Sequence, residues 1–413
     1  MYTLNNNKTN KHTLQLSGLL LIISITSILN WSSFRFSILN NTTLLWCVYA
    51  ITLYLFFKNK IKDYNILPIN LFLALVVIAS IHGIFVSRGY WDYKLLVQNT
   101  MTFLLPISVY TFAYPHRVHN ILSLWFKYAV IIFIILTPFM YSDAFAYFVH
   151  PFILPALFFP LLNKKWKYLT IIALIITFVM GFASRSCITR FAVAFAIGYL
   201  CRFAIFRKHQ FKIAFTLWIA PILFFCLATV GNFNIFKIDE EFQLSEKWGL
   251  TTEKTATNDV ALEDTRTGLY EEVLSSAIIK DYWLFGHSLA RGYYSKWFSK
   301  TKDVPVKALQ SERQGCESSV LNVFTYMGVV GVILYMAIFV YSSYLGICQS
   351  NNVYIPILGV FVAFRWLFGW IEDLASFNFT YIILWIMIAM CISPYFRGMT
   401  NKEFRIWFKT LFK

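Results

Sequence analysis

A chain of 413 residues is long enough for two or three soluble domains, but 58% hydrophobic and only 14% charged residues exclude that organisation. The formal charge of +16 invites a nucleic-acid reading, yet the Lys and Arg residues stand in short groups between apolar runs of about 18 to 22 residues, the length that crosses a hydrocarbon core. The pattern predicts an all-α polytopic membrane protein with no nucleic-acid partner.

Residues 1–13 are polar and rich in Asn and Lys. About twelve spans are expected after them, at 14–31, 38–57, 66–86, 95–114, 121–140, 146–162, 168–184, 190–206, 213–230, 318–345, 353–371 and 377–395. The chain therefore divides into transmembrane helices over 1–230, one large polar loop over 231–315, further spans within 316–395 and a basic tail over 396–413. With the N-terminus inside, the inner loops collect Lys58, Lys60 and Lys62, then Lys164, Lys165 and Lys167, then Arg207, Lys208 and Lys212, then Arg397 and the tail lysines. The short outer loops hold only Arg35, Arg88, Lys94, Arg185 and Arg190. That asymmetry is the positive-inside rule; it accounts for the basic balance and sets both termini in the cytoplasm and the polar loop outside. The tail alternates cations with aromatics, Phe404, Arg405, Trp407, Phe408 and Lys409, and is expected to lie along the inner membrane surface. Seven Cys show no metal-ligand spacing.

Charges placed against that rule are the candidate site residues. Arg185 and Arg190 fall in the turn between the seventh and eighth spans, on the outer face, where a guanidinium pair suits a phosphorylated lipid. In the loop, Glu263-Asp264-Thr265-Arg266 opens an amphipathic helix with Leu269, Tyr270, Val273, Leu274 and Ala277 on one stripe, Asp264 as its cap and Gly286 beyond its end. Arg266 in its first turn opposes the helix dipole, which implies an anion close by. Phe285-Gly286-His287 is a turn that lets backbone approach a ligand, and His287 is a possible base there, although a plain loop histidine is the commoner case. Glu317 opens the long tenth span and belongs in its first turn, while Gly328 and Gly331 permit close helix packing. Arg365 lies in the outer half of the eleventh span, ahead of Glu372 and Asp373. A charge at that depth needs a partner, either Glu372 or an anionic ligand.

The Ser-Arg-Ser turn at 184–186, the Arg266 helix leading to Phe285-Gly286, and Glu317-Ser-Ser-Val-Leu followed by Tyr326-Met-Gly-Val-Val-Gly331 together resemble the bacterial O-antigen polymerase and O-antigen ligase superfamily. The likeness covers roughly residues 170–340 and the plan of about a dozen spans with one large late periplasmic loop. It implies an integral-membrane glycosyltransferase of the bacterial inner membrane, with a periplasmic active site and no nucleotide-sugar donor. The ligase branch carries a His-Asn pair where this chain has Glu317-Ser318, so the polymerase branch is favoured. A polymerase would move a growing glycan from undecaprenyl pyrophosphate to a hydroxyl of another undecaprenyl-pyrophosphate-linked repeat unit, without metal or cofactor, and a chain-length regulator protein is a possible partner. In that reading Arg185, Arg190, Arg266 and Arg365 bind the pyrophosphate and stabilise its growing charge, Arg266 and Glu317 are catalytic, and Glu317 activates the acceptor hydroxyl. The alternatives are an O-antigen ligase and a lipid-linked oligosaccharide flippase or other transporter.

Overall fold

The computed structural model describes residues 11–29, 42–60, 65–140, 145, 149–180, 185–230, 265–295 and 312–412. They form an all-α molecule whose helices run in chain order as α1 (Lys11–Leu29), α2 (Thr42–Lys58), α3 (Leu67–Val86), α4 (Tyr90–Phe103), α5 (Ser108–Phe112) and α6 (Pro115–Leu136). After them come α7 (Ile153–Leu157), α8 (Lys164–Met180), α9 (Arg185–Leu200), α10 (Ala204–Thr229) and α11 (Thr265–Ile279). The last are α12 (Ser319–Cys348), α13 (Ile355–Phe368), α14 (Phe379–Ile392), α15 (Pro394–Arg397) and α16 (Asn401–Leu411). A two-residue antiparallel ladder, β1 (Tyr293–Tyr294) with β2 (Glu312–Arg313), closes the far side of the polar loop. Leu67–Val86, Tyr90–Phe112, Pro115–Phe139, Ala204–Thr229 and Ser319–Cys348 are each long and apolar enough to cross a membrane, and shorter apolar helices accompany them.

α13 and α14 form the centre. Every α13 residue except Leu367 and every α14 residue except Tyr381 is buried, so these helices are apolar on all sides. α12, α10, α9, α5 and α1 surround them. The outer helices are two-faced: α3 buries Ile69, Phe72, Val76 and Ala79 but exposes Leu71, Ile78, Ile81 and Phe85. An exposed face that is as apolar as the buried one fits lipid as its solvent.

The sixth expected span, 146–162, is not one helix. Its described part is a 3-10 turn at His150–Phe152, the short α7 and a second 3-10 turn at Phe159–Leu161. Pro151, Pro155 and Pro160 explain this, because each removes a backbone donor and crowds the preceding turn. The segment is buried, and α7 packs against α9.

The tail also departs from expectation. α16 is an amphipathic helix started by a capping box between Thr400 and Glu403, but its apolar face, Phe404, Trp407, Phe408 and Leu411, is buried against the protein. Trp407 Nε1 donates to the Pro115 carbonyl at 3.0 Å, and Asn163 Nδ2 donates to that of Phe412 at 2.9 Å. The surface it was expected to offer to lipid is occupied by the bundle.

α12 is interrupted at Gly328, whose φ of 64° and ψ of −165° fall where glycine alone is comfortable. The Tyr282–His287 turn fills the break. Val329 N–H donates to the Trp283 carbonyl at 3.0 Å, Val330 N–H to that of Leu284 at 3.3 Å, and His287 N–H to that of Thr325 at 2.7 Å. Gly286 (φ 80°) is the complementary half, since a Cβ on it would stand 2.3 Å from Met327 N. The two glycines therefore serve a backbone interlock: the turn approaches the broken helix, where the sequence suggested a ligand, and Gly328 does more than permit helix packing. A Cβ on Gly328 would lie 2.2 Å from the Leu284 carbonyl oxygen. Gly328→Ala is expected to cost at least about 3 kcal/mol, since the backbone strain alone is worth roughly 1–3 kcal/mol. Gly268→Ala, in α11 with nothing within 4 Å of the new methyl, should instead stabilise by about 0.5–1 kcal/mol. Thermal unfolding of the detergent-solubilised variants separates the two signs.

Candidate active site

The irregular chain between α13 and α14, residues 369–378, gathers the polar groups at one end of the bundle. It begins as a cap for α12. Ser318 is the N-cap of that helix, and its side chain accepts from Leu321 N–H. The free N–H of Ser319 donates to the Glu372 carbonyl at 3.1 Å, and that of Val320 to the Gly369 carbonyl at 3.2 Å. The helix start thereby fixes where the Glu372 side chain stands.

That carboxylate joins two buried arginines from different helices. Arg190, 4% exposed on α9, reaches Glu372 Oε1 from Nη2 at 2.9 Å, and Arg365, 1% exposed on α13, reaches Oε2 from Nη1 at 3.3 Å. Ser186 Oγ donates to Oε1 at 3.3 Å, and Arg190 Nε donates back to the Ser186 carbonyl at 3.2 Å. Two cations share one anion, so the triad keeps a positive surplus. Among the described residues Arg365 Nη2 is buried and has no hydrogen-bond partner. His150, also buried, stands within electrostatic reach of both guanidiniums.

Asp373 is the neighbouring acid. It is half-buried, with its Oδ1 accepting from Ala375 N–H at 3.0 Å. Burial pushes its carboxyl up to about 7, against the opposing hydrogen bonds from backbone and the Asn322 amide. Asn322 is itself held rigidly, its Nδ2 donating to the Cys316 carbonyl at 2.9 Å and its Oδ1 accepting from Cys316 N–H at 2.8 Å. Tyr326, Tyr335 and Tyr381 lie within electrostatic reach of Asp373. Cys316 is no thiolate here, because burial pushes its thiol up to about 12.

A second charged group lies on the side of α3 and α4. Glu312 accepts from Arg291 through both carboxylate oxygens, from Arg88 Nη2 at 3.3 Å and from Lys280 Nζ at 3.4 Å. Burial acts to raise the Glu312 carboxyl, but the Arg291 hydrogen bonds and charge, with Lys280, hold it below the ordinary range. A depressed folded value contributes stability above the unfolded value and loses it as pH falls through the folded one. Acidification through the carboxylate range should therefore lower the amide protection factors at 288–295, corrected for the intrinsic exchange rate at each pH, and Glu312→Gln should remove that dependence.

The expected site residues separate accordingly. Arg190 and Arg365 meet over Glu372, and Arg190 lies in the second turn of α9, not in a loop. Arg185 begins that helix; its side chain, the 181–184 turn, Asp264 and the Lys300–Lys307 stretch lie outside the described residues, as does the Arg266 side chain. α11 does form, with its Val273 and Ala277 buried as the spacing predicts. Tyr270 Oη donates to the Trp370 carbonyl at 2.7 Å, which docks the helix beside the 369–378 segment. Glu317 is exposed and precedes the N-cap, outside the first turn where the sequence suggested it. His287 belongs with the second group: its Nδ1 lies 2.8 Å from the Gly292 carbonyl and its ring stacks on Tyr282 at 4.6 Å. Ser186, Asn322 and Asp373 complete the first group. Of these, Ser186 belongs to the Ser-Arg-Ser turn and Asp373 stands next to Glu372 at a span end, while Asn322 carried no sequence signal.

No protein-family model, curated protein or solved structure matches the chain.

Removing Glu372 would leave two buried arginines unpaired, and Glu372→Gln is expected to destabilise by about 3–5 kcal/mol. Replacing all three members, Arg190→Met, Glu372→Leu and Arg365→Met, should recover most of that loss in denaturant unfolding. Failure to recover would mean that the triad contributes stability beyond mutual neutralisation.

Proposed function

We propose that this protein is a polysaccharide polymerase of the bacterial inner membrane, with about twelve spans and its active site at the periplasmic end. It transfers a growing glycan from undecaprenyl pyrophosphate to a hydroxyl of another lipid-linked repeat unit. The observation that carries this reading is the positive surplus of Arg190 and Arg365 around Glu372, with a buried Arg365 Nη2 that has no hydrogen-bond partner among the described residues, and with Asp373 next to Glu372 in the chain. A pyrophosphate oxygen completes that donor set.

The acceptor oxygen attacks the anomeric carbon, a new C–O bond forms, and the bond to pyrophosphate breaks with both electrons leaving on the phosphate oxygen. Arg365 and Arg190 stabilise the charge that grows there, each such preorganised donor being worth roughly 3–4 kcal/mol. Arg266 serves the same charge from the N-terminal turn of α11. The hydroxyl proton goes to Asp373, which replaces Glu317 as the principal base because it is partly buried, held by Asn322 and next in the chain to Glu372, the carboxylate that the two arginines share. Glu317 stands at the exposed edge and orients the acceptor. α13 carries no Asp, Glu, Lys or His, and α14 none of these and no Arg, which favours chemistry at one end over a transport path through the middle.

In a deletion strain, loss of a polymerase leaves single capped repeat units, whereas loss of a flippase removes them altogether. Complementation with Asp373→Asn is expected to lower chain extension by at least about 10²-fold, and Glu317→Gln by no more than about tenfold. Full-length polymer from Asp373→Asn would sink the assignment of the base. Activity should rise as pH passes about 7, where Asp373 ionises. Stability should move the other way: a raised folded value gives stabilisation that is complete below the ordinary aspartate value of 3.8 and is lost as pH rises through about 7. Asp373→Asn should flatten that dependence of the melting temperature.

A further inference from the structure

The Glu312 group has more cation than its structural task requires. Arg88 comes from the α3–α4 turn, Lys280 from the end of α11 and Arg291 from the loop that follows. Against these three cations stand Glu312 and Asp92, the latter accepting from the Arg88 backbone N–H at 2.9 Å. The Arg291 pair with Glu312 is enough to hold β2, and its side chain is 8% exposed. Arg88 and Lys280 are different: their side chains are 66% and 37% exposed, so donors on both remain open to solvent.

What surrounds them is apolar and exposed. Phe85 and Tyr90 flank Arg88 at 81% and 70% exposure, and Ile278 and Ile279 precede Lys280 at 71% and 80%. The depth of this surface follows from the α12 interlock. Trp283 and Leu284 bond to Val329 and Val330, which lie beyond a first helical piece, residues 319–327, that rises about 14 Å. The exposed side chains of Trp283, Leu284 and Phe285 therefore stand alongside α12 below its start; since a helix of 30 residues exceeds a hydrocarbon core of about 30 Å, this level suits the edge of a bilayer. Cations above and an apolar collar below match a head group that carries negative charge on a long hydrocarbon tail. A soluble anion would gain nothing from the collar.

We propose that Arg88, Lys280 and Arg291 form a second anion site, which holds the pyrophosphate head group of the acceptor lipid while the Arg190–Arg365 pair holds that of the donor. The identity of the lipid rests on the polymerase reading; the site itself rests on the charge and the collar. The first piece of α12 separates the two sites. Its Tyr326 lies within electrostatic reach of Asp373 and engages Asn99 of α4, and Asn99 Nδ2 donates to the Leu289 carbonyl at 3.0 Å, two residues before Arg291. Two lipid head groups would then flank the base, as a reaction between two lipid-linked substrates needs.

The test uses the full chain in phosphatidylcholine nanodiscs, with farnesyl pyrophosphate as probe and inorganic pyrophosphate as comparison, counted by native mass spectrometry. The wild type is expected to bind two equivalents of the prenyl probe and Arg88→Gln/Lys280→Gln one, with at least a tenfold weaker second equivalent. Arg88→Lys should retain two. Both substituted side chains are solvent-exposed, and an unchanged melting temperature confirms folding. Two equivalents in the double variant would overturn the site, and so would equal binding of inorganic pyrophosphate, because the collar would then play no part. A single equivalent in the wild type that disappears in the double variant upholds this site and overturns the pyrophosphate role of Arg190 and Arg365; a single equivalent that survives does the reverse.

Discussion

A guanidinium taken out of water must find an anion, and this molecule buries two of them against one carboxylate. Glu372 is consequently the point on which the loop-bearing end of the bundle depends. Its side chain draws α9 and α13 together through Arg190 and Arg365, and its carbonyl caps the first turn of α12. Geometry at this end is held by charge and by capping, since the chain there is irregular and has no helical hydrogen-bond ladder of its own.

The second constraint is the rule that no backbone group may go unsatisfied in hydrocarbon. α12 breaks that ladder at Gly328, and the break persists because the turn around Gly286 supplies carbonyls and an N–H in register with the gap. Loop and helix are thus one unit. The same docking brings α11 against Trp370 and sets the Glu312 group beside α3 and α4, so that the polar loop is fastened on two flanks of the bundle.

Between those flanks lie the groups suited to chemistry. Asp373 is half-buried, its carboxyl is raised to about 7, and it is steadied by Asn322, which is locked to the Cys316 backbone. The Arg190–Glu372–Arg365 triad and the group around Glu312 each have more cation than anion. Such a surplus is costly to maintain without an anionic partner, and the lipid-linked pyrophosphate proposed above has the fitting charge.

Composition and periodicity alone determined the class of molecule and most of its helices, because the length of an apolar run and the spacing of a stripe are local properties. They also singled out Arg190 and Arg365 as charges needing a partner, and the α11 stripe. The proline-broken segment after His150 was legible in principle, but its apolar run outweighed its breakers. Only the tertiary structure decided that both arginines share Glu372, that Asp373 is half-buried while Glu317 is exposed, and that Gly286 and Gly328 belong to one interlock. Those facts depend on residues far apart in the chain, Arg190 with Glu372 and Trp283 with Val329, and no local pattern encodes such a meeting. The tail shows the same division. Its amphipathic face is written in its spacing, but whether lipid or protein covers that face was settled by Pro115 and Asn163 standing where they do.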